Sequence, residues 1–117
     1  GTLKMKMFLC RKCKAVQEGA SEPNKVGCAA GGLHDWSYIA ETGPKNYLCR
    51  KCRVLVRTFA APADFGCPEG AYHEWNYLGE AGKARYDCKR CGIAVECASS
   101  PEPKNCPAGG LHDWKKA

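Results

Sequence analysis

Twelve residues carry the chemistry of this chain. Cys49 and Cys52 are separated by two residues, Cys67 follows after fourteen more, and His73 after another five. Cys10, Cys13, Cys28 and His34 repeat the spacing upstream, and Cys88, Cys91, Cys106 and His112 repeat it downstream, each copy offset by 39 residues. A Cys-x-x-Cys turn brings two sulfurs to one point, where backbone N–H groups can also donate to them. The distant cysteine and histidine complete four ligands, the number and type that structural zinc takes in tetrahedral geometry. The expectation is three tandem Cys3His sites, each holding one Zn2+.

Three other uses of the cysteines compete with this one. Nine of the ten cysteines fall in the repeat, three per copy. An odd number cannot pair within a copy, and the fourth repeating position is a histidine, so a disulfide framework is disfavoured. Iron or an iron–sulfur cluster is the runner-up occupant. Haem attachment is excluded, because Lys14, Arg53 and Gly92 stand where it would require histidine.

A catalytic zinc keeps one coordination position open, whereas four protein ligands close it. All three histidines are already ligands. The one repeated acid position, Asp35, Glu74 and Asp113, suits a hydrogen bond to a ligand or to a turn N–H. The chain therefore reads as non-enzymatic, with no small-molecule substrate expected.

Repeats of about 40 residues are too short to hold together on a hydrophobic core alone, and a metal is the evident staple. The elements that position the ligands recur with them. An aromatic stands two before each first cysteine (Phe8, Tyr47, Tyr86), and an apolar stretch follows each second cysteine, clearest in Val54-Leu55-Val56 and Ile93-Ala94-Val95. Pro23, Pro62 and Pro101 end that strand. Gly27, Gly66 and Asn105 precede the third cysteine and point to a left-handed turn there. Gly31, Gly70 and Gly109 recur inside the ligand turn; the next glycine becomes Ala71 in the second copy, so only the first is expected to need unusual dihedrals. Trp36-Ser37-Tyr38-Ile39 and Trp75-Asn76-Tyr77-Leu78 read as strands, and Gly43-Pro44 and Gly82-Lys83 as turns into the next unit.

Cys88-Lys89-Arg90-Cys91-Gly92 resembles the first knuckle of zinc-ribbon proteins. Lys14 and Arg53 depart from the glycine usual after that knuckle, and the Cys-x5-His half differs from the ribbon's second Cys-x-x-Cys. The resemblance covers the architecture of the site and implies zinc and a three-stranded fold, with no particular activity attached. The expected fold is small, metal-stabilised and mainly β: three tandem zinc-ribbon-like repeats. A lead-in strand and the first repeat occupy residues 1–46, the second repeat 47–85, and the third, with a truncated last strand, 86–117. The alternation Lys4-Met5-Lys6-Met7 reads as an edge strand or an ordered lead-in.

The formal charge of +6 points toward an anionic partner, but three thiolates around a divalent ion leave each site at −1, so the loaded chain carries +3. Cationic pairs sit on all three knuckles: Arg11 and Lys12, Arg50 and Lys51, Lys89 and Arg90. They could contact successive phosphates or stabilise the anionic sites they flank. Trp36, Trp75 and Trp114 are expected in the core, with Tyr38 and Tyr77 on the same strand face. Ile39 and Leu78 point the other way, toward a neighbouring unit or a partner. Cys97, outside the ligand pattern, is expected to be a buried, inert thiol.

Two partner classes follow. The slightly favoured one is nucleic acid, single-stranded or RNA; the alternative is a protein, bound by a scaffold in which zinc is purely structural. Metal-binding rather than disulfide-bonded cysteines imply a reducing compartment or a site loaded before oxidation, and the expected setting is intracellular, cytoplasmic or nuclear. No apolar run is long enough to span a membrane and no signal-peptide pattern is present. The chain opens on Gly1 rather than methionine, consistent with trimming or excision.

Overall fold

The structure, a computed structural model, describes residues 5–117, and every regular element among them is a strand. These are β1 (Lys6–Cys10), β2 (Val16–Gly19), β3 (Trp36–Cys49), β4 (Leu55–Thr58), β5 (Trp75–Cys88), β6 (Ala94–Cys97) and β7 (Trp114–Lys116). The β-branched and apolar residues after each knuckle form β2, β4 and β6, as their sequence suggests. Each unit is a three-stranded antiparallel sheet. β1 lies between β2 and the first half of β3; the second half of β3 lies between β4 and the first half of β5; the second half of β5 lies between β6 and β7.

The register repeats from unit to unit. Cys10 pairs with Trp36, Cys49 with Trp75 and Cys88 with Trp114. The first cysteine of every knuckle is thereby held opposite the tryptophan that follows the ligand histidine by two. In the first two units the aromatic two before that cysteine falls opposite a tyrosine, giving the contacts of Phe8 with Tyr38 and Tyr47 with Tyr77 at ring separations of 5.9 and 5.5 Å, while Tyr86 faces Lys116.

Several sequence expectations change here. Gly43-Pro44 and Gly82-Lys83 do not turn the chain: β3 and β5 run through them as 14-residue strands. The pairing slips instead, so that Thr58 faces both Thr42 and Lys45, and Cys97 faces both Ala81 and Ala84. This is a bulge, and it explains the glycines, because a Cβ at Gly43 or Gly82 would collide with the backbone of Phe59 or Ala98. The positions 46/47 and 85/86, where the repeats divide in sequence, fall inside these strands. Gly1 to Lys4 lie outside the described residues; from Lys6 the lead-in is β1, which is flanked on both sides and is not an edge strand.

Apolar contacts follow the shared strands. Ile39 is buried in one cluster with Met7 and Leu9 from the first unit and Val54, Val56, Cys49, Cys52 and Cys67 from the second. Leu78 joins Leu48, Val95 and Cys97 across the next junction. Both serve contact between units, and at 1% exposure neither is free to meet a partner. The proline loops dock the same way: Ala63 N–H donates to the Ile39 carbonyl and Glu102 N–H to that of Leu78, at 3.0 and 2.9 Å.

Truncating Ile39 to alanine removes a fully buried side chain from a core shared by two units. It should cost about 2–5 kcal/mol and lower the melting of both units together in amide-resolved thermal unfolding. Independent melting of the first two units would contradict the shared core. Gly82→Ala should also destabilise, because its Cβ has no room beside Ala98.

Candidate metal centres

Each knuckle is closed by two backbone bonds. Lys14, Arg53 and Gly92 donate N–H to the carbonyls of Cys10, Cys49 and Cys88, all at 2.9 Å, while those cysteines donate to Ala15, Val54 and Ile93. Closing so tight a turn puts the residue after the second cysteine in the left-handed region: φ is 66° at Lys14, 63° at Arg53 and 78° at Gly92. Lysine and arginine take the left-handed conformation in the first two knuckles as glycine does in the third. Gly27, Gly66 and Asn105, before the third cysteine, are left-handed too (φ 86°, 85° and 63°), as their types suggest. The ligand turn proper is less uniform than expected. Gly31 and Gly32 are both at positive φ, as are Gly109 and Gly110, whereas Gly70 and Ala71 are not. The second unit thus makes its turn by another backbone route, one that accepts a Cβ at position 71.

These turns bring the twelve expected ligands into three groups: Cys10, Cys13, Cys28 and His34; Cys49, Cys52, Cys67 and His73; Cys88, Cys91, Cys106 and His112. Within each, the four ligand atoms all lie within 4.8 Å of one another. A tetrahedral ion with zinc's bond lengths requires sulfur–sulfur edges of about 3.8 Å and sulfur–nitrogen edges of about 3.6 Å. Cys10 and Cys28 Sγ are 3.8 Å apart, and Cys88 and Cys106 Sγ 3.9 Å. The Nδ1 atoms of His34, His73 and His112 lie 3.6 Å from Cys13, Cys52 and Cys91 Sγ. The spacing fits a four-coordinate ion and is far beyond the roughly 2.05 Å of a disulfide; all ten cysteines are free.

The surroundings favour thiolate. The N–H groups of Asp35 and Glu74 donate to Cys10 and Cys49 Sγ at 3.4 Å, and Cys91 N–H donates to Cys88 Sγ at 3.5 Å. Burial pushes the Cys10 thiol up, yet the N–H of Cys13, the His34 ring and the N–H groups of Asp35 and Lys12 outweigh it, lowering it from 9.0 to about 6. Cys88 behaves alike, also reaching about 6. Cys49 falls further, to about 3, chiefly through the Cys52 thiol, with His73 and the N–H groups of Cys52 and Glu74 adding to the effect against burial. Cys52 moves up in answer, through Cys49 and burial.

Each ligand imidazole is stacked on a tryptophan: His34 on Trp36, His73 on Trp75 and His112 on Trp114, with ring centroids 4.4–4.5 Å apart. The indole N–H groups donate to the carbonyls of Asn24, Ala63 and Glu102 at 2.9–3.1 Å. The tryptophan therefore ties the proline loop to the ligand that closes the site. Nε2 of His73 and His112 is buried without a partner, so the orientation of these rings comes from stacking. Tyr38 and Tyr77, expected in the core with the tryptophans, are instead 43% and 41% exposed.

The knuckle cations are engaged locally. Arg11 and Arg50 face Asp35 and Glu74 at 3.8 and 3.9 Å. Lys12 donates to the carbonyls of Gly31 and Leu33, Lys51 to that of Tyr72, and Arg90 to that of Leu111. Lys89 is exposed and has no side-chain partner among the described residues. The acid at the position after the histidine thus serves the site through its backbone N–H in the first two units, while its side chain meets the arginine. The sequence reading missed the exposed apolar side chains of the ligand turns, Val26, Leu33, Phe65, Tyr72 and Leu111. Their recurrence at 26/65 and at 33/72/111 was visible in the 39-residue period. Cys97 is fully buried among apolar residues, and burial raises its pKa, as expected of an inert thiol.

No protein-family model, curated protein or solved structure matches this chain.

Stripping the ions with excess chelator should collapse amide dispersion in all three units, since binding energy is folding energy in units this small; intact dispersion and far-UV CD would contradict it. Acid should empty the sites unequally. A lowered thiol contributes stability that is present above its unfolded pKa and lost as pH falls through the folded value. Cys49 is lowered largely at the expense of Cys52, so that pair titrates as a unit and the order of release rests on enclosure. The second unit, whose four ligands are all buried, should keep its ion longest. Following Cys13, Cys52 and Cys91 amide signals through an acid titration tests the order, and earliest release from the second unit would refute it.

Proposed function

We propose that the three sites hold structural Zn2+ and that the array is a non-enzymatic module binding single-stranded nucleic acid along its ligand turns. Zinc is favoured over iron because four fixed protein ligands in mixed sulfur and nitrogen sets, with no open position, are its usual structural arrangement. Colourless protein with three equivalents of zinc per chain is the expected finding; visible thiolate-to-iron absorption would overturn it.

One observation carries the partner assignment: each ligand turn raises an exposed apolar or aromatic side chain beside a knuckle cation. Leu33, Tyr72 and Leu111 are 57%, 62% and 60% exposed, and Lys12, Lys51 and Arg90 rest on their own carbonyls. Phe65 pairs with Tyr72 across a short bridge and doubles the platform in the second unit. Successive turns are also linked. Lys14 on the first knuckle meets Glu69 in the second ligand turn at 2.7 Å, and Asn105 in the third turn donates to Asn76 of the second unit at 2.7 Å. Cations alternating with apolar platforms suit a strand whose phosphates and bases alternate.

The local engagements of the cations do not remove them from use. Exposed ion pairs such as that of Arg50 and Glu74 are worth about 0–1 kcal/mol and can be exchanged for phosphate. Lys51 has two N–H donors left beyond the one on Tyr72. The aliphatic character of Val26, Leu33 and Leu111 favours the second reading, a protein-binding scaffold.

Fluorescence anisotropy with single-stranded RNA, single-stranded DNA and duplex DNA across a salt series separates the two. Binding should weaken with salt, Tyr72→Ala should cost about 1–3 kcal/mol, and neutralising Arg50 and Lys51 together should flatten the salt dependence by about 0.7 of a log unit per lost phosphate contact. No binding at low salt would leave the cations as site electrostatics and the exposed side chains as a protein-binding surface.

A further inference from the structure

We propose that the array is a graded thiol switch: hydrogen peroxide oxidises the two outer cysteine sets, entering at Cys13 and Cys91, and releases their ions before that of the middle set. This rests on the reading of the three sites as zinc centres and adds to it the regulation of two of them. Of the twelve ligands, Cys13, His34 and Cys91 are half-buried and the others are buried. Each outer set therefore has one cysteine within reach of solvent, and the middle set has none.

The difference comes from what the neighbouring unit lays over each set. Met7, Leu9 and Ile39 of the first unit share one cluster with Cys49, Cys52 and Cys67, and Cys52 is 3% exposed. Lys14 of the first knuckle also meets Glu69, which stands between Cys67 and His73 in the chain, at 2.7 Å. Neither cover is repeated over the third set. The cluster at the second junction, Leu48, Leu78, Val95 and Cys97, takes in no ligand. Asn46 stands where the first unit has Met7, and Arg53 and Ala108 stand where Lys14 and Glu69 form their ion pair. The first set has no preceding unit among the described residues, and Cys13 lies at the margin of the small cluster of Phe8, Cys10, Cys28 and Trp36.

Thiolate is the form that peroxide oxidises, and access decides which thiolate it meets. Attack by sulfur breaks the O–O bond, leaving a sulfenic acid and a hydroxide ion. A second thiolate of the same set, whose Sγ lies within 4.8 Å, then attacks the sulfenic sulfur, closes a disulfide and expels a second hydroxide. Two electrons have passed from sulfur to peroxide, two of the four ligands are gone, and the ion leaves. The outer ligand turns carry Leu33 and Leu111, so their exposed platforms lose their support with the ion. Reduction of the disulfide restores the ligands.

The test treats protein carrying three zinc ions with hydrogen peroxide. A chromogenic zinc chelator follows release, and dimedone traps sulfenic acids for peptide mapping. Two of the three ions should leave in a fast phase and the third in a slower one, with the first adducts on Cys13 and Cys91. A phosphine reductant with added zinc should return all three. Ile39→Ala thins the cover of the middle set and should speed the slow phase more than the fast one. If that variant does not load three ions, the adduct map of the unaltered protein decides. Release in a single phase, a first adduct on any cysteine of the middle set, loss that reduction does not reverse, or no release at all overturns this inference and leaves the zinc reading standing. A chain that takes up no zinc overturns both.

Discussion

The strand that leaves one unit's histidine is the strand that delivers the next unit's first cysteine. β3 begins at Trp36, beside His34, and ends at Cys49; β5 begins at Trp75, beside His73, and ends at Cys88. Every other feature is subordinate to this sharing. A free three-stranded sheet of some 40 residues would be marginal. Here each junction is a continuous backbone whose first half pairs with one strand and whose second half lies between two. The position of one metal site is therefore propagated to the next through hydrogen-bonded strand rather than through a flexible linker.

Burial follows the same logic. Three cysteine ligands of the second unit lie in one apolar cluster with Leu9 and Ile39, which belong to the first. The first unit's own ligands sit in a smaller cluster with Phe8 and Trp36. The second site is thus the best enclosed, with all four ligands buried. The packing that joins the units also encloses the ligand sets: a change in the sheet of one unit alters the burial of its neighbour's four ligands.

Much of this was legible in the sequence. The ligands, the strands after each knuckle, the left-handed residue before the third cysteine and the burial of Cys97 follow from residue type and spacing. What escaped the reading did so for identifiable reasons. Gly43-Pro44 and Gly82-Lys83 have turn composition, but a bulge needs a residue without a side chain for the same steric reason, and composition alone does not separate the two. Strand parity places Tyr38 and Tyr77 with the tryptophans, yet parity gives a face and not the depth of cover on it; under imidazole and proline loop Trp36 is buried and Trp75 and Trp114 half-buried, while the tyrosines are exposed. Ile39 and Leu78 could not be assigned between neighbour and partner until the shared strand showed that the neighbour lies directly against them. The glycines of the ligand turn were read from the exception at Ala71, which turned out to mark a different turn.

The double duty of β3 and β5 also restricts how such a chain can change length. Inserting one residue between Trp36 and Cys49 would exchange the two faces of everything beyond it, turning the next cysteine away from its ion while leaving the preceding site intact. Two residues would restore the faces but displace the pairing against β4. The proline loops from Ala20 to Lys25 and from Ala60 to Asp64 carry no ligand and lie outside the named strands. Asn24 and Ala63 accept the indole N–H groups, and Lys25 and Asp64 the N–H groups of the histidines. A change of length is therefore tolerable only ahead of those residues and is costly in the long strands, and the array grows by whole repeats.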